Sequence, residues 1–107
     1  MTFDWVQSNW KGSYGLSQLN LETCTTYETS YTVQNQGRDI LSLKVEVVEI
    51  VDDGKKNISA SYIDVHSMDE YISLGENLAS VDEAKKLCED WIHSALLTIK
   101  SALSEIN

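Results

Sequence analysis

The chain has 107 residues, a formal net charge of −9 and a hydrophobic fraction of 42%. This length predicts a single domain over residues 1–107 with a core of its own, and the hydrophobic fraction excludes a wholly disordered chain. Because the balance is strongly acidic, we expect no direct binding to nucleic acid and favour protein partners that have a basic surface.

The sequence also bears on location. No run of about 18 apolar residues is present, so we expect no membrane span. Residues 1–5 lack the basic start and the apolar run of a signal peptide. Cys24 and Cys88 are too few for a disulfide framework, and we expect both to be reduced. These features together predict a cytoplasmic protein.

Aromatic side chains are concentrated near the N-terminus, at a spacing that fits no helical stripe. Phe3, Trp5 and Trp10 lie close together in the chain and precede Tyr14. We expect a short helical turn or an irregular arm over residues 2–10. Its aromatic side chains would either cap the end of the core or face a partner.

From residue 14 onwards, apolar and polar residues alternate, which is typical of half-buried strands. The alternation includes residues 19–22, continues over Tyr27–Val33 and is strongest over Ile40–Val51. Between Val47 and Val48 the phase slips by one residue. Such a slip predicts either a β-bulge or a strand end that is buried on both faces.

Short turns join these strands. Residues 35–38 read Asn-Gln-Gly-Arg and residues 52–55 read Asp-Asp-Gly-Lys, and Asp-Gly favours a two-residue hairpin turn. Two further strands are predicted over Ile58–Val65 and Asp69–Leu74. We therefore predict an α+β fold, in which a four- to five-stranded antiparallel meander over residues 14–74 packs against one long C-terminal helix.

The helix, predicted over residues 81–106, has the clearest signals in the chain. Ser80 and Glu83 match a capping box at its start. An apolar stripe covers about half of its circumference and predicts that this side packs on the sheet. The residues expected at the centre of the core are Trp91, Leu87, Ile99, Val45, Leu43 and Tyr31.

The predicted helix is longer than the sheet is wide: about 39 Å at 1.5 Å per residue, against about 24 Å for five strands. Leu97 lies on the polar side of the helix. A single exposed leucine needs no explanation, but apolar surface at a helix end also favours association. The hypothesis is a homodimer whose interface contains Leu96, Leu97, Leu103 and Ile106.

Acidic residues are concentrated in one segment, the acidic stretch of residues 64–90. Its eight carboxylates and two lysines give a balance of −6, although the whole chain carries −9. The stretch is either a solvated face or a surface that binds basic residues of a partner, and Lys85 and Lys86 argue against strict mimicry of DNA. The candidate partner-binding residues are Asp64, Asp69, Glu70, Glu76, Asp82, Glu83, Glu89 and Asp90, with Trp5 and Trp10.

Two carboxylate–histidine pairs are candidates for chemistry. Asp64 and His66 share a strand face, and Glu89 and His93 lie one helical turn apart. Nothing nearby completes a ligand set or a catalytic set, so we interpret both as surface pairs. We predict no metal, no cofactor and no enzymatic activity.

Gly75–Lys85 reads G-E-N-L-A-S-V-D-E-A-K. This segment resembles the endings of small accessory proteins encoded by phages and mobile elements, in which an antiparallel sheet leads through G…S-x-x-E-A-K into a C-terminal helix. Antitoxins of the HicB type have a similar passage. The resemblance implies a protein of the host cell cytoplasm that acts by binding, such as an inhibitor of a defence system. It carries over no functional residue.

These observations predict a non-enzymatic acidic inhibitor of the anti-CRISPR or anti-restriction type. It would bind a nucleic-acid-handling complex through its acidic surface. The alternative is a homo-oligomeric structural or antitoxin-like regulatory module. In that case the helix end would form the interface, and the carboxylates would only keep the protein in solution.

Overall fold

The computed structural model describes residues 2–10 and 21–106, apart from the side chains of residues 10, 21 and 22. These residues form five strands, a short 3-10 helix at Val65–Ser67 and one α-helix. The elements are β1 (Val6–Trp10), β2 (Leu21–Asn35), β3 (Arg38–Asp52), β4 (Lys55–Asp64), β5 (Glu70–Gly75) and α1 (Val81–Ser104).

The five strands form one antiparallel sheet in the order β1-β2-β3-β4-β5. Each strand pairs with its neighbour in sequence, so the sheet is a meander, and α1 packs against it. The predicted α+β fold is therefore confirmed, and α1 begins at Val81 as expected. Its 24 residues end at Ser104, two residues before the predicted end.

The N-terminal strand differs from the prediction. Both the helical turn and the irregular arm expected over residues 2–10 are wrong for Val6–Trp10, which form a strand and pair with Cys24–Glu28 of β2. This segment has no apolar alternation of its own, so pairing with β2 decides its conformation. The two strands expected at residues 19–22 and 27–33 belong to one continuous strand from residue 21, and residues 14–20 lie outside the described residues.

The phase slip in β3 has a simple explanation. The β3–β4 register runs without a shift from Lys44 to Asp52, so the bulge alternative is wrong. Val45, Glu46 and Val47 are all buried. Successive side chains of a strand point to opposite faces, so β3 is buried on both faces here, as the other alternative predicted.

Both hairpin turns have the conformation that their sequences predict. Gln36 and Gly37 have φ angles of 53° and 77°, and Asp53 and Gly54 have 51° and 74°. Two consecutive positive φ angles are the signature of a type I′ turn, which suits the twist of paired strands. The turn sequences therefore fix the register of β2 on β3 and of β3 on β4.

The core lies between α1 and one face of the sheet. Small side chains, Ala84 and Cys88 of α1 and Ala60 of β4, are fully buried and allow a close approach. The thiol of Cys88 lies 4.0 Å from the backbone carbonyl of Glu46. The buried residues of this core are Leu43, Val45, Val47, Ile58, Ala60, Ala84, Cys88 and Ile92.

Five of the six residues expected in the core contribute to it. Leu43 and Val45 are buried, whereas Tyr31, Leu87 and Trp91 are partly buried and pack around them. Trp91 stacks on Tyr62 of β4 at a ring distance of 4.2 Å. Ile99 is a correction: among the described residues, Leu96 is the last helix residue packed on this core.

The fold predicts different effects for two apolar residues of α1. Ile92→Ala removes a fully buried side chain and should lower the free energy of unfolding by about 2–5 kcal/mol. Leu103→Ala, at 59% exposure, should change it by less than about 0.5 kcal/mol. Urea unfolding measures both values. Equal losses in the two variants would contradict the packing of α1.

Candidate functional site

The carboxylates of the acidic stretch fall into two groups at opposite ends of β5. Asp69 and Glu70 precede this strand and begin it, whereas Glu76 follows it. The strand spans about 17 Å at 3.3 Å per residue. The second group continues into the first turns of α1 with Asp82 and Glu83, both of which are exposed.

Asp64 belongs to the turn after β4 and not to a paired carboxylate–histidine site. Its carboxylate accepts hydrogen bonds from the Ser67 hydroxyl and from the backbone amide of His66, both at 2.9 Å. These bonds stabilise the charged form and lower the pKa of Asp64, the Ser67 bond first. This carboxylate holds its own turn together, and its contact with His66 is to the backbone.

The start of α1 is capped as its sequence predicts. The Ser80 hydroxyl accepts a hydrogen bond from the Glu83 amide at 3.1 Å, and the Glu83 carboxylate accepts one from the Ala79 amide at 2.9 Å. Glu83 therefore stabilises the helix start while its side chain remains exposed. A reversal of its charge would disturb folding as well as binding.

A groove runs along the β5 side of α1. We call it the α1 groove; its volume is about 240 Å³, and it is lined by Leu78, Glu83, Lys86, Leu87 and Asp90. The leucines form its apolar floor, and the charged side chains form its rim. The groove lies beside Gly75, where a methyl group would lie 2.9 Å from Leu87 Cδ2 and 3.3 Å from Leu78 Cδ2.

The charges on the groove rim are only partly compensated. Lys86 Nζ lies 3.2 Å from Asp90 Oδ1, one helical turn away. Such exposed pairs contribute only about 0.3–0.5 kcal/mol. The rim could therefore exchange this internal pair for a basic side chain of a partner. The aliphatic part of a lysine or arginine would then contact the apolar floor.

The N-terminal segment packs along the opposite side of α1. Trp5 Nε1 donates a hydrogen bond to Glu89 Oε2 at 2.9 Å, and the Phe3 ring meets His93 edge-on at 5.7 Å. Lys85 Nζ lies 5.5 Å from the Trp5 ring centre. Trp5 and Glu89, both predicted to bind a partner, therefore bind each other. Trp10 was also predicted to bind a partner, but its side chain lies outside the described residues.

The residues predicted at a homodimer interface are not all on one surface. Leu96 is partly buried against the core. Leu97, Leu103 and Ile106 are 64%, 59% and 77% exposed. At 100° per residue, Leu103 continues the core-facing stripe beyond the sheet, and Leu97 lies on the opposite side. Ile106 lies two residues beyond the end of α1.

The sheet face opposite α1 carries a buried carboxylate that sequence reasoning missed. Glu46 is only 6% exposed, and Glu28 lies directly opposite it in the β2–β3 register. Burial, followed by the negative charge of Glu28, raises the pKa of Glu46 to about 7, although Lys44 opposes this. The phase slip at Val47 and Val48, which predicts burial on both faces, is the one sequence signal for this site, and it does not single out Glu46.

Burial and the negative charges of this face also affect the groups around Glu46. Lys44 Nζ lies 3.6 Å from Glu28 Oε1. Desolvation, then the charges of Glu46, Glu28 and Asp69, raises the pKa of Tyr71. Burial and then Glu46 raise the pKa of the Cys24 thiol.

Nucleophilic and metal chemistry find little support in the described part of the chain. Burial raises the pKa of Cys88 to about 12, so its thiol is not activated. Neither Cys24 nor Cys88 is in a disulfide. Across residues 2–10 and 21–106, no group of three His, Cys, Asp or Glu side chains is placed to hold a metal ion.

No helix in the described residues combines the length and the apolar character that crossing a membrane requires. Comparison with protein families, with curated proteins and with solved structures gave no match to this chain.

The buried carboxyl group predicts a pH-dependent stability. Because the pKa of Glu46 is higher in the folded than in the unfolded chain, the folded state binds more protons between about pH 4.5 and 7. The contribution of this group to stability is therefore complete at the acid end of that range. It falls by about 3 kcal/mol as the pH rises through 7, at about 1.4 kcal/mol per pKa unit.

Chemical unfolding of the wild type and Glu46→Gln at pH 5, 6, 7 and 8 measures this effect. We expect the wild type to lose stability relative to Glu46→Gln across the series. Glu76→Gln, which changes an exposed carboxylate, should follow the wild type. Parallel profiles for all three proteins would contradict the burial of Glu46.

Proposed function

We propose that this chain is a non-enzymatic inhibitor that binds a basic surface of a nucleic-acid-handling complex. The α1 groove carries the proposal, because it combines an apolar floor with exposed carboxylates on its rim. Proteins that handle nucleic acid present lysine and arginine to phosphates, and carboxylates can occupy the same positions. The resemblance of Gly75–Lys85 to accessory proteins of mobile elements suggests an inhibitor of a defence system, acting in the cytoplasm.

The partner-binding surface in this proposal is narrower than the acidic stretch. Asp69, Glu70, Glu76, Asp82 and Asp90 are exposed, and the described salt bridges use only Asp90 among them. Exposed carboxylates of one sign steer a basic partner and give an affinity that falls with salt. The residues that are already bound within the chain, Trp5, Glu89 and Asp64, are outside this surface.

A charge-reversal variant tests the proposal. Glu70→Lys, Glu76→Lys and Asp90→Lys together reverse three exposed carboxylates without touching the capping residue Glu83. Cell lysate passed over the immobilised wild type at low salt, and eluted with rising salt, should yield basic nucleic-acid-handling proteins. The triple variant should retain at most about a tenth as much of them, because a close charge pair across an interface contributes about 1.5 kcal/mol or more.

The matched control reverses three exposed carboxylates elsewhere: Asp4→Lys, Asp39→Lys and Glu105→Lys. Both triple variants have the same net charge, so any difference between them reports position and not total charge. Retention of the same proteins by both triple variants, at the level of the wild type, would sink the proposal.

The exposed helix end favours a second candidate, a homo-oligomeric regulatory module. Leu103, on the core-facing side of α1, and Ile106, two residues beyond the helix, are exposed, and a second copy of the chain could cover them. Under this reading, light scattering should show a dimer that Leu103→Ser with Ile106→Ser converts to a monomer. Leu97→Ser, on the other side of α1, should leave the dimer intact. A wild type that is monomeric at about 100 µM would exclude it, because a dimer with a Kd of about 1 µM, or about −8 kcal/mol, would be almost fully formed at that concentration.

A further inference from the structure

The outer side of β5 is an open sheet edge. Within the described residues, β5 is the last strand of the sheet and pairs only with β4. The register shifts between Ala60 and Ser61, so Leu74 has no partner and the regular edge covers Glu70–Ser73. We call these four residues the β5 edge. An unpaired edge presents backbone amides and carbonyls to any extended chain that approaches it.

The β5 edge is short and begins with the charged Glu70, but two of the features that usually protect such edges are missing from it. It contains no lysine and no proline, both of which discourage strand pairing. Two large side chains remain exposed on opposite faces, Tyr71 at 56% and Ile72 at 47%. An added strand would cover both, because its own side chains alternate between the same two faces.

The charges at the two ends of the edge select the occupant. Asp69 and Glu70 lie at one end and Glu76 just beyond the other, and none of them is in a described salt bridge. If a second copy paired antiparallel along this edge, Asp69 of one copy would lie near Glu76 of the other, and like charges opposite one another destabilise a pair. A segment with basic residues at both ends would be attracted instead.

The α1 groove extends the same surface. Leu78 and Leu87, which form its floor, also cover Gly75 at the end of β5. A chain that leaves the β5 edge at this end therefore meets the groove. There an arginine or lysine could place its aliphatic part on the leucines and its charge between Glu83 and Asp90.

We propose that the partner supplies an extended segment of four to six residues, with arginine or lysine at its ends, which adds as a sixth strand along the β5 edge. This proposal rests on the proposed function and specifies how the basic partner is held. Backbone hydrogen bonds supply affinity that does not depend on sequence, and the basic ends supply selectivity.

The probe that tests the proposal is an amidated hexapeptide of sequence Arg-Thr-Val-Thr-Val-Arg, compared with the same peptide carrying Glu in place of Arg. Amide NMR spectra of the labelled protein should shift at β5 and around the α1 groove with the basic peptide only. Amides of the β5 edge should also exchange more slowly with solvent. No shift at millimolar basic peptide, or shifts elsewhere alone, would overturn the proposal.

Two kinds of variant test the edge itself. Along an antiparallel strand, amides point alternately towards and away from the neighbour, so one of Ile72 and Ser73 directs its amide away from β4. The two variants to compare are Ile72→Pro and Ser73→Pro. The one whose amide points away from β4 keeps the β4 pairing intact, so it should unfold at the higher temperature. This folded proline variant should bind the basic peptide at least about tenfold more weakly, since it lacks an edge donor.

Ile72→Lys serves if neither proline variant folds, because it places a positive charge where the basic segment must lie. Ile40→Lys is its matched control, since Ile40 is also an exposed isoleucine on a strand, at 65%. We expect at least about tenfold weaker peptide binding for Ile72→Lys and no change for Ile40→Lys. Equal affinities for both would overturn the proposal.

Lysate retention by the same variants separates the two proposals. Loss of retained proteins in both the charge-reversal variant and the β5-edge variant supports both. Loss in the charge-reversal variant alone overturns edge docking and leaves the proposed function standing. Retention by all variants at the wild-type level overturns the proposed function itself.

Discussion

The structure depends on the close packing of one helix on one face of the sheet. Ala84 and Cys88 of α1 lie against Ala60 and the middle of β3, and small side chains there allow the two layers to approach. Because α1 is the one long helix among the described residues, the core that it forms with the sheet covers a single face. Three regions lie outside this core: the β5 edge, the end of α1 and the sheet face around Glu46.

The turns and the helix start could be predicted from the sequence, because a few adjacent residues determine them. Asp53-Gly54 specifies a turn with two positive φ angles, and Ser80 specifies the start of α1, whatever surrounds them. Residues 6–10 have no apolar alternation, so only their pairing with β2 makes them a strand. Ile99 continues the apolar stripe of α1, but a stripe cannot reveal where the sheet beneath it ends.

The candidate site was less predictable, because charged residues that are close in the sequence need not lie together on one exposed surface. Glu89 lies near the C-terminal end of the acidic stretch, yet it accepts the hydrogen bond of Trp5, which is 84 residues away in the chain. Asp64 holds its own turn. Glu46 lies outside the stretch, and its pKa is the most strongly shifted among the described carboxylates. The sequence could not predict this shift, because burial on the second face of β3 depends on tertiary packing.

Site-specific photo-crosslinking would show whether a basic partner is held along β5. A photoreactive residue in place of Ile72, compared with one in place of Ile40, would be activated in cells and the crosslinked peptides sequenced. We expect that Ile72 alone crosslinks, to a segment of another protein with lysine or arginine at its ends. Crosslinks from Ile72 to a second copy of this chain, or from Ile40 alone, would contradict it.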